Sequence, residues 1–156
     1  MAQAHRYQAR LEWVGAARGR TVSYQSYARE YSVAVPGKPG FTASADPTFR
    51  GDPKLYNPED MLVIALAACH MLSYLWLCSR ARLPVVTYVD EATGTMDLLD
   101  GKTRFVEVVL HPRVTIEPGA DLDLARRLHE GAHGECFIAN SVNFPVRHEP
   151  QIAFAG

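Results

Sequence analysis

The sequence predicts an α+β fold, with antiparallel sheets arranged around one long buried central helix. Three observations carry this. Asn57 to Leu83, NPEDMLVIALAACHMLSYLWLCSRARL, is apolar on nearly every face, the pattern of a helix that is surrounded rather than laid on a surface. Segments on either side of it show two-residue alternation or are rich in Tyr, Val and Thr, as half-buried strands are. Between those segments lie turn sequences, Asp100-Gly101 the strongest of them. With 156 residues, the chain reads as one domain, residues 1–156, large enough to bury a core.

In order, His5 to Val14 places Tyr7, Ala9, Leu11 and Trp13 on one side and Arg6, Gln8, Arg10 and Glu12 on the other. That alternation predicts a strand. Arg20 to Ser26 and Arg29 to Val35 read as two more, making an antiparallel meander that Pro36-Gly37-Lys38-Pro39-Gly40 breaks. Phe41 to Tyr56 has no clean period and is expected to be a functional loop. Asn57 then caps the long helix, Pro58 suits its first position, and Asp60 can close a capping box onto Asn57. Pro84 stops it. Val85 to Leu99 reads as a strand interrupted near Gly94, and Arg104 to Ile116 as its return, with an edge or bulge expected at Pro112. Asp121 to Ala132 is a second, amphipathic helix ended by Gly134, and the chain closes with a strand from Pro145 towards Phe154.

Lys and Arg number 16 against 17 Asp and Glu, for a net charge of −1. That balance argues against nucleic acid or an anionic membrane as partner. The long apolar run contains His70, Ser73 and Tyr74, which argues against a membrane span, and no apolar segment follows Met1 to mark secretion. A cytoplasmic protein is expected, its three cysteines being thiols or redox-active pairs rather than staples.

Cys69 and Cys78, nine residues apart on one helix, stand about 13 Å apart along its axis and cannot form a disulfide within it. Cys136 is the intrachain partner open to either, and the small Ala67 and Ala68 beside Cys69 would let another backbone come close. A cysteine buried in an apolar helix is inert without a cation beside it, so Cys69 also reads as a small core hydrophobe. Cys136 precedes a short helical turn, whose free N–H groups would stabilise a thiolate. His129, His133 and Cys136 would share a face if the helix ran through Gly134, a spacing that could hold zinc. His70, next to Cys69 but about 100° around the helix, reads as a core or interface histidine.

Asn57-Pro58-Glu59, a cysteine ten positions after that glutamate in Ala-Leu-Ala-Ala-Cys69-His70, and a second cysteine at 136 resemble the OsmC/Ohr family of osmotically inducible and organic-hydroperoxide-resistance proteins. The order of meander, long helix and hairpin fits as well, and the resemblance spans the chain, pointing to an OsmC-like branch. It implies an intertwined homodimer and a thiol peroxidase. In that analogy Cys69 is the peroxidatic thiolate, Cys136 joins it in a disulfide, and an external dithiol of the lipoyl type restores both. No metal, haem or flavin cofactor is implied. Glu59 matches the family's carboxylate. It lies about 15 Å from Cys69 along one helix, so a site shared across the dimer is expected. For the arginine that the carboxylate would hold, Arg50 is the first choice, with Arg18 and Arg29 behind it. Arg18 reads more readily as a solvated surface side chain, and Cys78 as structural. Phe137 stands where better-known members have proline after the second cysteine. A non-catalytic binder of lipid-like molecules on the same fold is the alternative.

Overall fold

The computed structural model describes residues 4–156. These gather into two compact units that meet in sequence at Met61 and Leu62. The first carries an antiparallel sheet of β1 (Arg10–Trp13), β2 (Tyr31–Ala34) and β3 (Phe41–Ala43), in that order. A meander is present, but its members differ from those expected. Arg20 to Ser26 forms turns, not a strand. There Ser26 Oγ donates to the Arg20 carbonyl at 2.5 Å and accepts from the Ser23 amide at 3.0 Å, so side chains take up backbone groups that a ladder would use. The third strand comes instead from the segment without period. β1 is shorter than its alternation because it pairs only with the four residues of β2.

The long helix, α1 (Pro58–Arg80), starts as its sequence dictates. Asn57 Oδ1 accepts from the Asp60 amide at 2.8 Å, and Asp60 Oδ2 accepts from the Asn57 amide at 3.3 Å. Beyond its last turn, Arg82 takes a left-handed conformation (φ 56°) ahead of Pro84. By length and composition α1 could cross a membrane. In this fold, Leu66, His70, Tyr74 and Cys78, spaced at i and i+4, form a row that packs into protein. Burial on every face is not what the chain shows: Ile64, Leu72 and Trp76 of the same helix are 52%, 62% and 48% exposed.

The second unit has two three-stranded sheets, β4-β7-β9 and β5-β6-β8. The single strand expected over 85–99 is two, β4 (Val85–Asp90) and β5 (Thr93–Leu99), in different sheets. Its return is likewise two, β6 (Lys102–Leu110) and β7 (Pro112–Ile116). This hairpin bends where Asp90 Oδ1 accepts from the His111 amide at 2.7 Å, so Pro112 opens a buried strand instead of bulging an edge. At the tip, Asp100 (φ 53°) and Gly101 (φ 75°) make the tight turn. The other helix, α2 (Leu122–Glu135), runs through Gly131 and Gly134 instead of stopping there. The closing strand is also split, into β8 (Val146–His148) and β9 (Gln151–Phe154). β8 pairs parallel to β6 and β9 parallel to β7, so these sheets are mixed, as strands reached by a helical crossover require.

Two apolar clusters hold this unit. Leu66 of α1 packs with Val108 and Leu110 of β6, and Tyr74 and Cys78 of α1 pack with Val114, Ile116, Ala125 and Ala132. Gly94 lies against α1: a Cβ there would come within 2.7 Å of Val63 and 2.8 Å of Phe105.

Candidate active site

Cys69 lies one position before the buried row of α1 and is half-buried. It lines an open cavity of about 310 Å³ whose other walls are Leu72, Ser73, Trp76, Glu135 and Phe137. Cys136 caps the C-terminus of α2 and is buried. Cys69 is its neighbour: the cavity that Cys69 lines is walled by Glu135 and Phe137, on either side of Cys136, and Cys69 pushes the Cys136 thiol up. Of the two partners the sequence left open, the structure therefore brings Cys69 to Cys136, both as free thiols. Cys78 faces the other way, into the Tyr74 cluster, where burial pushes its thiol up.

Cys136 does meet the turn that follows it, since its sulfur accepts from the Ala139 amide at 3.4 Å. That is not enough to make a thiolate. Burial pushes the Cys136 thiol up and outweighs the amide, and the neighbouring Cys69 raises it further. At neutral pH Cys136 holds its proton.

The first unit carries the predicted carboxylate and arginines. Glu59 sits in the first turn of α1, and its buried Oε2 has no hydrogen-bond partner among the described residues. Arg18 lies exposed on the surface, as its sequence context suggests, and is ion-paired to Glu30, holding that carboxyl below its ordinary range. Arg29 stacks over Tyr27 at 3.8 Å and Tyr24 at 4.5 Å, and donates to the carbonyls of both. Arg50 follows a short 3-10 turn, Pro47–Phe49, in a left-handed conformation (φ 67°). Arg50 is in none of the ion pairs among the described residues.

The zinc arrangement does not form. Although α2 continues past Gly134, His129 turns to α1 and Cys136 to Cys69, and no group of three or more metal-binding side chains occurs among the described residues. Instead four histidines gather between the two apolar clusters. His70 Nε2 lies 3.0 Å from His129 Nδ1. His148 of β8 stacks at 5.3 Å from His70, and His133 lies 5.8 Å from His148. Tyr74 stacks on His129 at 3.8 Å and donates to the Ala125 carbonyl at 3.1 Å. Burial pushes His70 down to about 4 and His129 down to about 3, so both are neutral at pH 7. His148 was missed in the sequence because its strand meets α1 only through the parallel pairing of β8 with β6. The cavity residues Glu135 and Phe137 were legible only as neighbours of Cys136.

Two facing thiols, one of them opening on an apolar cavity, mounted on mixed sheets and two helices, define an α+β protein with a candidate cysteine centre. The chain belongs to the OsmC-like protein family, whose model matches residues 51–151. A solved OsmC-like protein of unknown function from Vibrio cholerae is 30% identical, with a TM-score of 0.83 over 95% of this chain and 100% of that one. An organic hydroperoxide resistance protein from Elizabethkingia anophelis shares the fold at 17% identity, with a TM-score of 0.72 over 99% of this chain and 100% of that one. An uncharacterized protein of Bacillus subtilis, YmaD, is 24% identical over 64% of this chain and 70% of its own length.

Proposed function

We propose that this protein is a two-cysteine thiol peroxidase for organic hydroperoxides. The observation that carries the reading is Cys69 on the wall of an apolar cavity together with Glu135 and Phe137, the residues flanking Cys136. The Cys69 thiolate attacks the outer oxygen of R–O–O–H. The O–O bond breaks, RO⁻ leaves and takes a proton as ROH, and Cys69 becomes a sulfenic acid. Cys136 then attacks that sulfur, and the hydroxyl leaves with the Cys136 proton as water while the S–S bond forms. An external dithiol of the lipoyl type is oxidised as it returns both cysteines to thiols. Cys136 is protonated at rest, so it must give up that proton as it attacks, and the proton leaves with the hydroxyl as water. Leu72, Trp76 and Phe137 favour alkyl or aryl hydroperoxides, since hydrogen peroxide gains nothing from apolar walls.

The thiolate requires a cation held by a carboxylate, and the reading assigns these to Arg50 and Glu59. The unpartnered buried oxygen of Glu59 supports its part. Arg50 is favoured because Arg18 and Arg29 are already engaged. A homodimer with shared sites accompanies the reading, supported by the exposed apolar face of Ile64, Leu72 and Trp76. Peroxide consumption with a lipoyl dithiol tests it: the wild type and an Arg50→Lys variant differ, Cys69→Ser is inactive, and Cys136→Ser stops after one turnover as a sulfenic acid.

The cavity lining holds no cation, which favours a second reading, a binding protein for lipid-like molecules. Thiols that survive peroxide unchanged, with an apolar ligand co-purifying, would establish that one instead.

A further inference from the structure

The four-histidine cluster plays no part in the scheme above, yet it joins the two helices that carry the thiols. His70 follows Cys69 on α1, and His133 precedes Cys136 by three residues at the end of α2, where the Cys136 amide donates to the His133 carbonyl at 3.3 Å. Between α1 and α2 the polar bonds are few. Besides His70–His129, the Tyr74 hydroxyl reaches the Ala125 carbonyl, and Ser73 Oγ donates to the Glu135 carbonyl at 3.5 Å.

We propose that His70 and His129 are positioning residues: their buried ring-to-ring hydrogen bond, at the middle of α2, fixes that helix against α1 so that Cys136 at its C-terminus stays beside Cys69. The inference rests on the proposed function only in taking these two thiols as the redox pair. One neutral ring donates and the other accepts, so the bond needs one proton shared between two nitrogens. Truncating either ring leaves a buried nitrogen without a partner, and protonating both rings sets two N–H groups and two charges face to face.

The groups that face the pair are Tyr74 on α1, His133 and Glu130 on α2, Tyr88 with Asp90 beside it on β4, and His148 on β8. Burial raises Asp90, and its Oδ1 already accepts from the His111 amide. Glu130 lies 3.7 Å from His148 and its side chain is 78% exposed. No buried carboxylate among the described residues is placed to compensate a charged His70 or His129. The cluster therefore works as a neutral bond, and it sets the distance between the thiols through α2.

The test measures how strongly the two thiols favour a disulfide, without any peroxide. Wild type, His129→Ala, His129→Asn and His70→Gln are equilibrated in glutathione buffers at pH 7, and the Cys69–Cys136 disulfide is quantified by mass. Loss of the ring should weaken the disulfide at least tenfold in equilibrium constant, about 30 mV. The side-chain amides of His129→Asn and His70→Gln stand in for the Nδ1 and Nε2 atoms of the bond, and both variants should recover most of that loss. An unchanged constant in folded His129→Ala overturns the proposal, as does failure of both amide variants to recover it. The wild type supplies a second measurement that does not depend on variant folding. Ring NMR should show His70 and His129 titrating at different pH in the dithiol and disulfide forms, because coupling is reciprocal; identical titrations would also overturn it. A protein that fails to reduce peroxide while the constants respond loses the peroxidase reading alone.

Discussion

Cys69 and His70 are neighbours on one helix and meet opposite environments. On one face of α1, Cys69 looks onto a cavity with Leu72 and Trp76, and those side chains are about half exposed. On the other, Leu66, His70, Tyr74 and Cys78 are buried to within 1%. Apolar residues occur on both faces in sequence, and the buried row is the one that carries His70 and Tyr74. Apolarity therefore marks α1 as a helix that wants cover, while the sheets of the second unit and α2 pack against the row of Leu66, Tyr74 and Cys78. The covered face holds the structure together, and the uncovered face carries the thiol and the surface that a second copy could bury.

The largest test of this contrast is chemical. Cys69→Ser is expected to lower peroxide reduction by about 10³-fold or more, as removal of a nucleophile does, while Cys78→Ser on the opposite face should leave the rate within about twofold and show its effect in stability. Steady-state peroxide assays with matched urea melts read both.

The same contrast should appear in packing. Tyr74→Ala removes a ring from the core and is expected to cost about 3–5 kcal/mol, measured by urea unfolding. Leu72→Asp, two residues away, should keep the circular dichroism of the fold and, if the proposed dimer forms through this face, sediment as a monomer where the wild type sediments as a dimer. Equal losses of stability at the two positions would mean that the uncovered face is not free within the chain.

Acid should loosen the covered face first. His70 and His129 have folded values near 4 and 3, against an ordinary value of 6.5. Below 6.5 the unfolded chain takes up protons that the folded chain refuses, so stability is full above that pH and is lost as the pH falls from 6.5 towards 4. The paired carboxylate Glu30, held low by Arg18, loses its contribution only in more acid solution. Melting temperature should decline between pH 7 and 5 in the wild type and decline less steeply in His129→Asn.

The smallest effect belongs to the cavity wall. Trp76→Ala is expected to raise KM for cumene hydroperoxide about tenfold, the value of a modest apolar contact, with no matching change for hydrogen peroxide.

What was legible in the sequence was local. The Asn57–Asp60 box, the start of α1 and the Asp100-Gly101 turn each depend on residues a few positions apart, and they formed as read, while α1 ends at Arg80, three residues short of the Leu83 expected. Arg20 to Ser26 misled because Thr21, Val22 and Tyr24 suit a strand, while Ser23 and Ser26 supply turn bonds that no propensity weighs. The splitting of long strands at His111 and near Glu91 reflects passage from one sheet to another, which leaves no mark on alternation. Cys136 could be matched to two cysteines until α2 was seen to run on to Glu135. The histidine cluster was hidden because His70, His129 and His148 come from three elements distant in sequence.

The peroxidase reading turns on Cys69 and Cys136 acting as one redox pair. Reduced protein given one equivalent of cumene hydroperoxide, then analysed by intact mass and peptide mapping, tests it most directly. The expected product has lost two hydrogens, with Cys69 joined to Cys136 and Cys78 untouched. Folded protein whose three thiols remain unchanged, or a bridge that includes Cys78, would contradict it.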